Sequence, residues 1–143
     1  MLFGKKKKKA AAPCPPTPID PNGATPVIRT IAMPADTNPA GDIFGGWLMS
    51  QMDLAAGSVA TRRAGGRIVT VAAEGMVFHE PVSVGDEVSL YARIVSTGRT
   101  SIRIEVEAWR RHRHEADSVK VTQGLFTCVA IDAERKPRPL PPA

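Results

Sequence analysis

One segment of helical periodicity, set among several segments of strand character, limits the folds open to this chain. In the helical segment the apolar residues recur at helical spacing, namely at Leu48, Met52, Ala55, Ala56 and Val59. The pattern predicts a helix from Trp47 to about Arg63, ended by "AGG" at 64–66. Since the segment is apolar on nearly every side, we expect the helix to be enclosed by the rest of the fold.

The strand segments predict a single sheet. They lie at 27–33, 67–80, 87–98, 99–113 and 118–132. A period of two residues over the last four, with short links, indicates an antiparallel meander with one solvated face. The expected architecture is α+β, with one long central helix wrapped by a curved antiparallel sheet of about five strands. The open edges of so small a sheet predict a homodimer.

Two proline-rich segments flank the predicted folded unit, residues 26–133. Residues 1–25 contain the run Lys5–Lys9 followed by several prolines, and 134–143 form a shorter proline-rich tail. The net charge of the chain is +5, and the five lysines account for all of it, because 14 basic and 14 acidic residues remain. A formally neutral body argues against a nucleic-acid-binding face.

Signals for export or membrane insertion are missing from the pattern. No segment approaches 18 consecutive apolar residues, so we expect no stable insertion in a membrane. The alanines after Lys9 are too few for a secretory signal. Cys14 and Cys128 do not suggest a disulfide framework, which fits a cytoplasmic protein.

Asp53 is the residue of the helical segment that most needs an explanation. A carboxylate on an apolar helix is costly unless it has a partner or a task. Ala56 and Gly57, three and four residues further on, are small and leave room for a ligand or a partner chain. One alternative is a buried aspartate satisfied by Ser50 or by a backbone donor. The other is a base or nucleophile.

Gly45 and Gly46 precede the predicted helix. A helix N-terminus has unpaired N–H groups and partial positive charge, and glycine allows a substrate to approach them closely. There they would stabilise a developing oxyanion by roughly 3 kcal/mol per donor. The alternative is that the two glycines only form a tight turn into the helix.

Four motifs carry a resemblance that narrows these alternatives. They are "RTIAMPADTNPAGDIFGGWLMSQMD" at 29–53, "GRIVTVA" at 66–72, "F-x-x-PVSVGD" at 78–86 and "GRTSIRIEVE" at 98–107. Together they resemble the bacterial YciA-type acyl-CoA thioesterases, which have the hot-dog fold. The resemblance implies a hydrolase that releases a free carboxylic acid and CoA, and it extends from about Val27 to Asp132.

The resemblance also implies roles for individual residues. It makes Asp53 the first catalytic candidate, Asp42 the second, and Asn38 a supporting residue, with loop and helix contributed by different subunits. The implied assembly is a homodimer with active sites at the subunit interface, and a hexamer built as a trimer of dimers. The residues alone leave open a turn role for Asn38 and Asp42.

Coenzyme A would be part of the substrate, and we expect no other cofactor. The candidate contacts to its phosphates and pantetheine arm are Arg99, Thr100, Ser101, Arg67, Val69, Thr70 and Val71. An arginine at a strand end is more often simply solvated. The candidates for an acyl tunnel are Met49, Met52, Met76 and Phe78, and adaptable methionines predict a broad acyl-chain range.

Two further interpretations concern a metal site and a non-catalytic role. His112 and His114 lie among arginines without a third ligand at metal spacing, so we expect a solvated strand end and no metal site. From a different class, a non-catalytic hot-dog module could bind acyl-CoA as a sensor. Asp53 and the Gly-Gly helix start favour the enzyme, since a sensor needs neither.

Overall fold

The computed structural model describes residues 25–143, which form one helix and five strands. The strands are β1 (Ile28–Ile31), β2 (Ile68–Glu74), β3 (Glu87–Thr97), β4 (Ser101–Arg111) and β5 (Ser118–Ala130), and the helix α1 is Gly45–Ala64. A short 3-10 helix, Pro34–Asp36, lies between β1 and α1. The predicted α+β architecture is confirmed, although α1 begins two residues earlier than expected because both glycines form its first turn.

All five strands form one antiparallel sheet in the order β1-β3-β4-β5-β2. The predicted meander is confirmed for β3 to β5 but is wrong for β2, which pairs with β5. The segment 75–86 between β2 and β3 is too long for a hairpin, and it continues alongside β5. There the His79 N–H donates to the Val121 carbonyl at 2.8 Å. β1 and β2 are therefore the two edges of the sheet.

The core lies between one face of α1 and the concave face of the sheet. The helix contributes Leu48, Met52, Ala55, Ala56, Ala60 and Ala64, all buried. The facing strands contribute alternate residues, among them Val88, Leu90, Ile102, Ile104, Val106 and Ala108. Four alanines on the helix face allow its backbone to lie close to the sheet, and the tight packing follows from this.

The opposite face of α1 is exposed, so the expectation of a fully enclosed helix is wrong for the single chain. Met49 and Asp53 are exposed there, and Leu54 is 61% exposed. The reason is geometric, since one layer of five strands covers only one side of a helix. Apolar side chains beside an unpaired sheet edge are typical of a protein–protein contact.

The proline-rich segment after β5 packs against the folded unit. The Leu140 N–H donates to the Arg99 carbonyl at 2.9 Å, and the Arg63 guanidinium donates to the Pro141 carbonyl at 2.7 Å. Leu140 also packs against the core. The boundary at residue 133 stays a prediction, but residues beyond it make backbone contacts with the domain. The predicted basic tail lies outside the described residues, except for Thr25.

Within the part of the chain that the structure describes, no helix is both long enough and apolar enough to cross a membrane.

Candidate active site

Asp53 lies on the exposed face of α1 and is hydrogen-bonded to β2. The Thr70 hydroxyl donates to Asp53 Oδ1 at 2.7 Å. Ser50, the partner expected if Asp53 were structural, instead donates to the Trp47 carbonyl at 2.7 Å. Over residues 25–143, Asp53 Oδ2 has no hydrogen-bond partner. The carboxylate is thus held by one oxygen and free at the other.

A buried thiol extends this contact. Thr70 and Cys128 are direct partners across β2 and β5, and their Oγ1 and Sγ atoms are 3.8 Å apart. Either of these two atoms could be the donor in the second contact. Burial raises the pKa of Cys128, the Thr70 hydrogen bond lowers it, and the negative charge of Asp53 raises it. The thiol therefore stays protonated at neutral pH and can donate.

Gly45 and Gly46 form the first turn of α1. Phe44 precedes them in an extended conformation and does not cap the helix with its side chain. Neither glycine N–H has a partner among the described residues, so both donors are available. Gly46 has a packing role as well, since an added Cβ would lie 3.2 Å from the Phe44 ring. Both interpretations of the Gly-Gly pair are thus compatible with the geometry.

Asn38 shapes the loop before the helix. Its side-chain oxygen accepts from the N–H groups of Ala40 and Asp42, both at 3.0 Å. The Asn38 N–H donates to the Asp42 carbonyl at 2.8 Å. This is the turn chemistry that the residues alone left open, and the Asn38 side-chain NH₂ group has no hydrogen-bond partner among residues 25–143. Asp42 itself is exposed.

The loop residues and Asp53 do not meet within one chain. Asp53 comes seven residues after Gly46, which separates them by roughly 10 Å along the helix axis. No hydrogen bond among the described residues joins Asp53 to Asn38 or Asp42. One chain therefore does not bring Asp53 and these loop groups within about 3 Å of the same reacting atom.

The predicted substrate-binding residues fall into two places. Val69, Thr70 and Val71 lie on β2, and Val71 sits at a register shift and is 58% exposed. Arg67 and Arg99 form the second place. Both are exposed, and residues 130–140 contact both of them. The Ile131 N–H donates to the Arg67 carbonyl at 3.0 Å, and the Leu140 N–H donates to the Arg99 carbonyl.

Thr100 and Ser101 lie beside Arg99. The Thr100 carbonyl accepts from the Ala130 N–H at 2.9 Å, and Ser101, the first residue of β4, is half-buried. The structure therefore brings Arg67, Arg99, Thr100 and Ser101 to the same end of the sheet.

The tunnel candidates are not all accessible. Met52 is fully buried in the core and cannot line a cavity open to substrate. Met49 is exposed, while Met76 and Phe78 are partly buried against the core. Met76 lies over Gly124, where an added Cβ would be 2.8 Å from its Cγ.

Sequence reasoning missed one buried polar cluster. His112, expected to be simply solvated, has Nδ1 2.7 Å from Asp86 Oδ1. The Ser83 N–H donates to Asp86 Oδ2 at 2.9 Å, and Arg110 Nε lies 4.0 Å from the same oxygen. Only the "VGD" turn before β3 hinted at Asp86, and a turn pattern does not reveal a partner on another strand. Among residues 25–143 no three His, Cys, Asp or Glu are grouped to hold a metal.

Comparisons with known proteins agree with this architecture. A family model described as the thioesterase superfamily matches residues 40–116. The chain belongs to the thioesterase superfamily. The predicted resemblance is thereby confirmed, and so is the hot-dog fold.

Individual relatives are similar over most of their length. The chain is 60% identical over 125 residues to an uncharacterised acyl-CoA thioester hydrolase of Zymomonas mobilis, covering 87% of this chain and 83% of that protein. It is 55% identical over 118 residues to the acyl-CoA thioester hydrolase YciA of Salmonella typhimurium, covering 80% and 89%. The solved structure of HI0827, a hexameric broad-specificity acyl-coenzyme A thioesterase, superposes with a TM-score of 0.78. The identity is 45%, and the match covers 86% of this chain and 88% of that one.

Proposed function

We propose that this protein hydrolyses acyl-CoA thioesters to a free carboxylic acid and CoA, over a broad range of acyl chains. The observation that carries the proposal is the Asp53 carboxylate, held at Oδ1 by Thr70 and free at Oδ2 on an exposed helix face. Relatives named as acyl-CoA thioester hydrolases support the choice of substrate, and the broad specificity of HI0827 supports the range.

In the proposed reaction, Asp53 Oδ2 accepts a proton from a water that attacks the thioester carbonyl carbon. The C–S bond then breaks, and CoA leaves as a thiolate that takes up a proton. General base catalysis of this kind contributes a factor of roughly 10²–10⁴. Direct attack by Asp53 through a mixed anhydride is the alternative. A single turnover in ¹⁸O-labelled water tests this alternative, because direct attack followed by hydrolysis at the Asp53 carbonyl carbon places the label in the Asp53 carboxylate, and general base catalysis does not.

The proposed site is shared between two chains. Gly45, Gly46 and the free Asn38 NH₂ would stabilise the oxyanion from one subunit, while Asp53 acts from the other, with Asp42 nearby. The separation of about 10 Å between Gly46 and Asp53 along one helix supports this division. Exposed apolar side chains on α1 and β2 support a dimer contact on this side, namely Met49, Leu54 and Val71.

The unpaired outer edge of β2 supports the same contact. We further propose three such dimers in a hexamer, as HI0827 is hexameric. A buried, unpaired Cys128 is compatible with the cytoplasmic location that we propose.

The CoA part of the substrate would extend from Asp53 along β2. The unpaired backbone at Val69–Val71 can pair with the amides of the pantetheine arm, as a strand would. Arg67, Arg99, Thr100 and Ser101 lie further along in that direction and offer donors for phosphate.

Release of free CoA from butyryl-CoA, followed with a thiol reagent, tests the proposed function. We expect Asp53→Asn to lower kcat by at least about 100-fold. Asp117→Asn, an exposed aspartate in the β4–β5 turn, is the matched control and should keep wild-type activity. Full turnover by Asp53→Asn would show that the base is misassigned. Binding of butyryl-CoA without release of CoA by the wild type would favour a sensor.

Mixed oligomers test the shared site. Asp53→Asn and Asn38→Ala should each be nearly inactive alone. Random mixing of their subunits gives half of the dimers one intact site, so we expect recovery of up to about a quarter of wild-type activity. No recovery, with mixed oligomers shown by mass spectrometry, would contradict a site built from two chains.

A further inference from the structure

Positive charge is concentrated at one end of the described domain. This basic end comprises residues 62–67, Arg99 and residues 132–138. It contains seven Lys and Arg against two Asp and Glu, a formal charge of +5. The rest of residues 25–143 contains seven basic and eleven acidic residues, a formal charge of −4. The near-neutral total charge of residues 25–143 is therefore the sum of a positive end and a negative remainder.

The segment after β5 holds the basic end together. The Arg138 guanidinium donates to the Ala64 carbonyl at 3.0 Å, at the end of α1, and to the Ile131 carbonyl at 3.1 Å. With the contacts of Leu140 and Arg63 described above, the segment joins the end of α1 to the β3–β4 turn. The partial negative charge of the helix C-terminus is about half a unit, and Arg138 already pairs with it. It does not offset the surplus of cations.

A compact turn presents two cations from this segment. Asp132 Oδ1 accepts from the N–H groups of Glu134 and Lys136, both at 2.9 Å. Arg135, between them, has φ +65°, the left-handed region that glycine adopts at lower cost. Its side chain and that of Lys136 are exposed, and neither has an ion-pair partner among the described residues. An arginine in a strained turn indicates a use for its charge.

The basic end lies at a suitable distance from Asp53. Thr70, which holds Asp53, is three residues from Arg67 along β2, and Ala64 is about 16 Å from Asp53 along α1. The pantetheine arm has the length of about four extended residues, roughly 14 Å. The pantetheine arm of a thioester at Asp53 is therefore long enough for the phosphates of its CoA to reach the basic end.

We propose that the segment after β5 is part of the substrate-binding site, with Arg135 and Lys136 binding the diphosphate and phosphomonoester of CoA beside Arg67 and Arg99. This inference rests on the proposed function for the identity of the ligand. It assigns a binding role to residues that composition alone places in a tail.

Two substrates test the inference, one with and one without the part of CoA that carries the diphosphate, the adenosine and the phosphomonoester. The variant Arg135→Gly with Lys136→Gln removes both charges, and glycine relieves the positive φ, so the fold is retained. We expect KM for butyryl-CoA to rise about tenfold, because an exposed ion pair contributes up to a factor of about five. We expect kcat to stay near the wild-type value. KM for butyryl-pantetheine, which has no phosphate, should not change.

The control variant is Arg103→Gln with Arg113→Gln, two exposed arginines outside the basic end. It loses the same charge and should leave KM for butyryl-CoA unchanged at fixed ionic strength. Equal effects of the two variants on butyryl-CoA would overturn the proposal, as would equal effects of Arg135→Gly with Lys136→Gln on both substrates.

Calorimetry separates this inference from the proposed function. If the wild type does not hydrolyse butyryl-CoA, its affinity for CoA is compared with that for pantetheine. A preference for CoA that the Arg135→Gly with Lys136→Gln variant loses supports the phosphate site without hydrolysis. No preference in the wild type overturns it.

Discussion

Replacing Asp86 should be among the most destabilising single changes in the domain. Its side chain is 3% exposed, and it accepts from the Ser83 N–H at 2.9 Å and contacts His112 at 2.7 Å. Alanine leaves both partners without their acceptor and leaves Arg110, whose side chain is 9% exposed, with less compensation. A lost hydrogen bond to a buried charge costs about 1.5–3 kcal/mol.

In the variant, His112 and Arg110 still contact solvent or other partners. We therefore expect Asp86→Ala to lower the free energy of unfolding by about 3 kcal/mol in total. The Arg110 Nε also donates to the Pro81 carbonyl at 3.1 Å, which Asp86→Ala does not remove. For a domain of this size, about 3 kcal/mol corresponds to a fall in Tm of roughly 12 °C. Asp86→Asn keeps an oxygen for Ser83 and should lose about half as much.

Thermal and urea unfolding at one fixed protein concentration measure these changes, because subunit association also stabilises the fold. Asp117→Ala, on the exposed β4–β5 turn, is the control and should lie within about 0.5 kcal/mol of wild type. If Asp86→Ala unfolded within about 1 kcal/mol of that control, the cluster would not be the stabilising contact described above.

Three other predictions concern single residues. The pKa of Cys128 is raised by burial above the 9.0 of a free thiol, so above that pH the unfolded chain loses its proton first and stability falls. Urea unfolding between pH 8 and pH 10 should show a steeper loss for wild type than for Cys128→Ala, and equal slopes would contradict the assignment. Thr122→Val removes a 2.8 Å hydrogen bond to the Val77 carbonyl and should cost about 1 kcal/mol by urea unfolding. An unchanged midpoint would show that water replaces the hydroxyl. Arg138→Ala loses the hydrogen bonds to Ala64 and Ile131 and should lower Tm by roughly 4–8 °C, whereas Arg113→Ala should not.

Local patterns along the chain predicted the elements well. Helical spacing located α1 to within two residues at its start, and strand-type segments located all five strands, although β2 ends at Glu74 and not at residue 80. The motif at 29–53 identified the family, which the match over 40–116 then confirmed. These features depend on residues close in sequence, and periodicity records such neighbours directly.

Contacts between distant residues needed the tertiary structure. The pairing of β2 with β5 follows from the path of segment 75–86, and it brings Thr70 to Cys128, 58 residues away. The partner of Asp53 is on another element, so neither Ser50 nor any residue of the helix revealed it. The catalytic assignment of Asp53 itself stays a prediction.

The sequence by itself determined which segments are helix and strand, because hydrophobic spacing along a chain sets which face of each element is buried. Only the tertiary structure decided that the segment after β5 returns to the end of α1, and that one face of α1 stays open. Composition made residues 134–143 a tail, yet Arg138 and Leu140 donate hydrogen bonds to the carbonyls of Ala64 and Arg99, far away in sequence. Such partners are set by where the backbone brings the chain in space, and no local pattern contains that information.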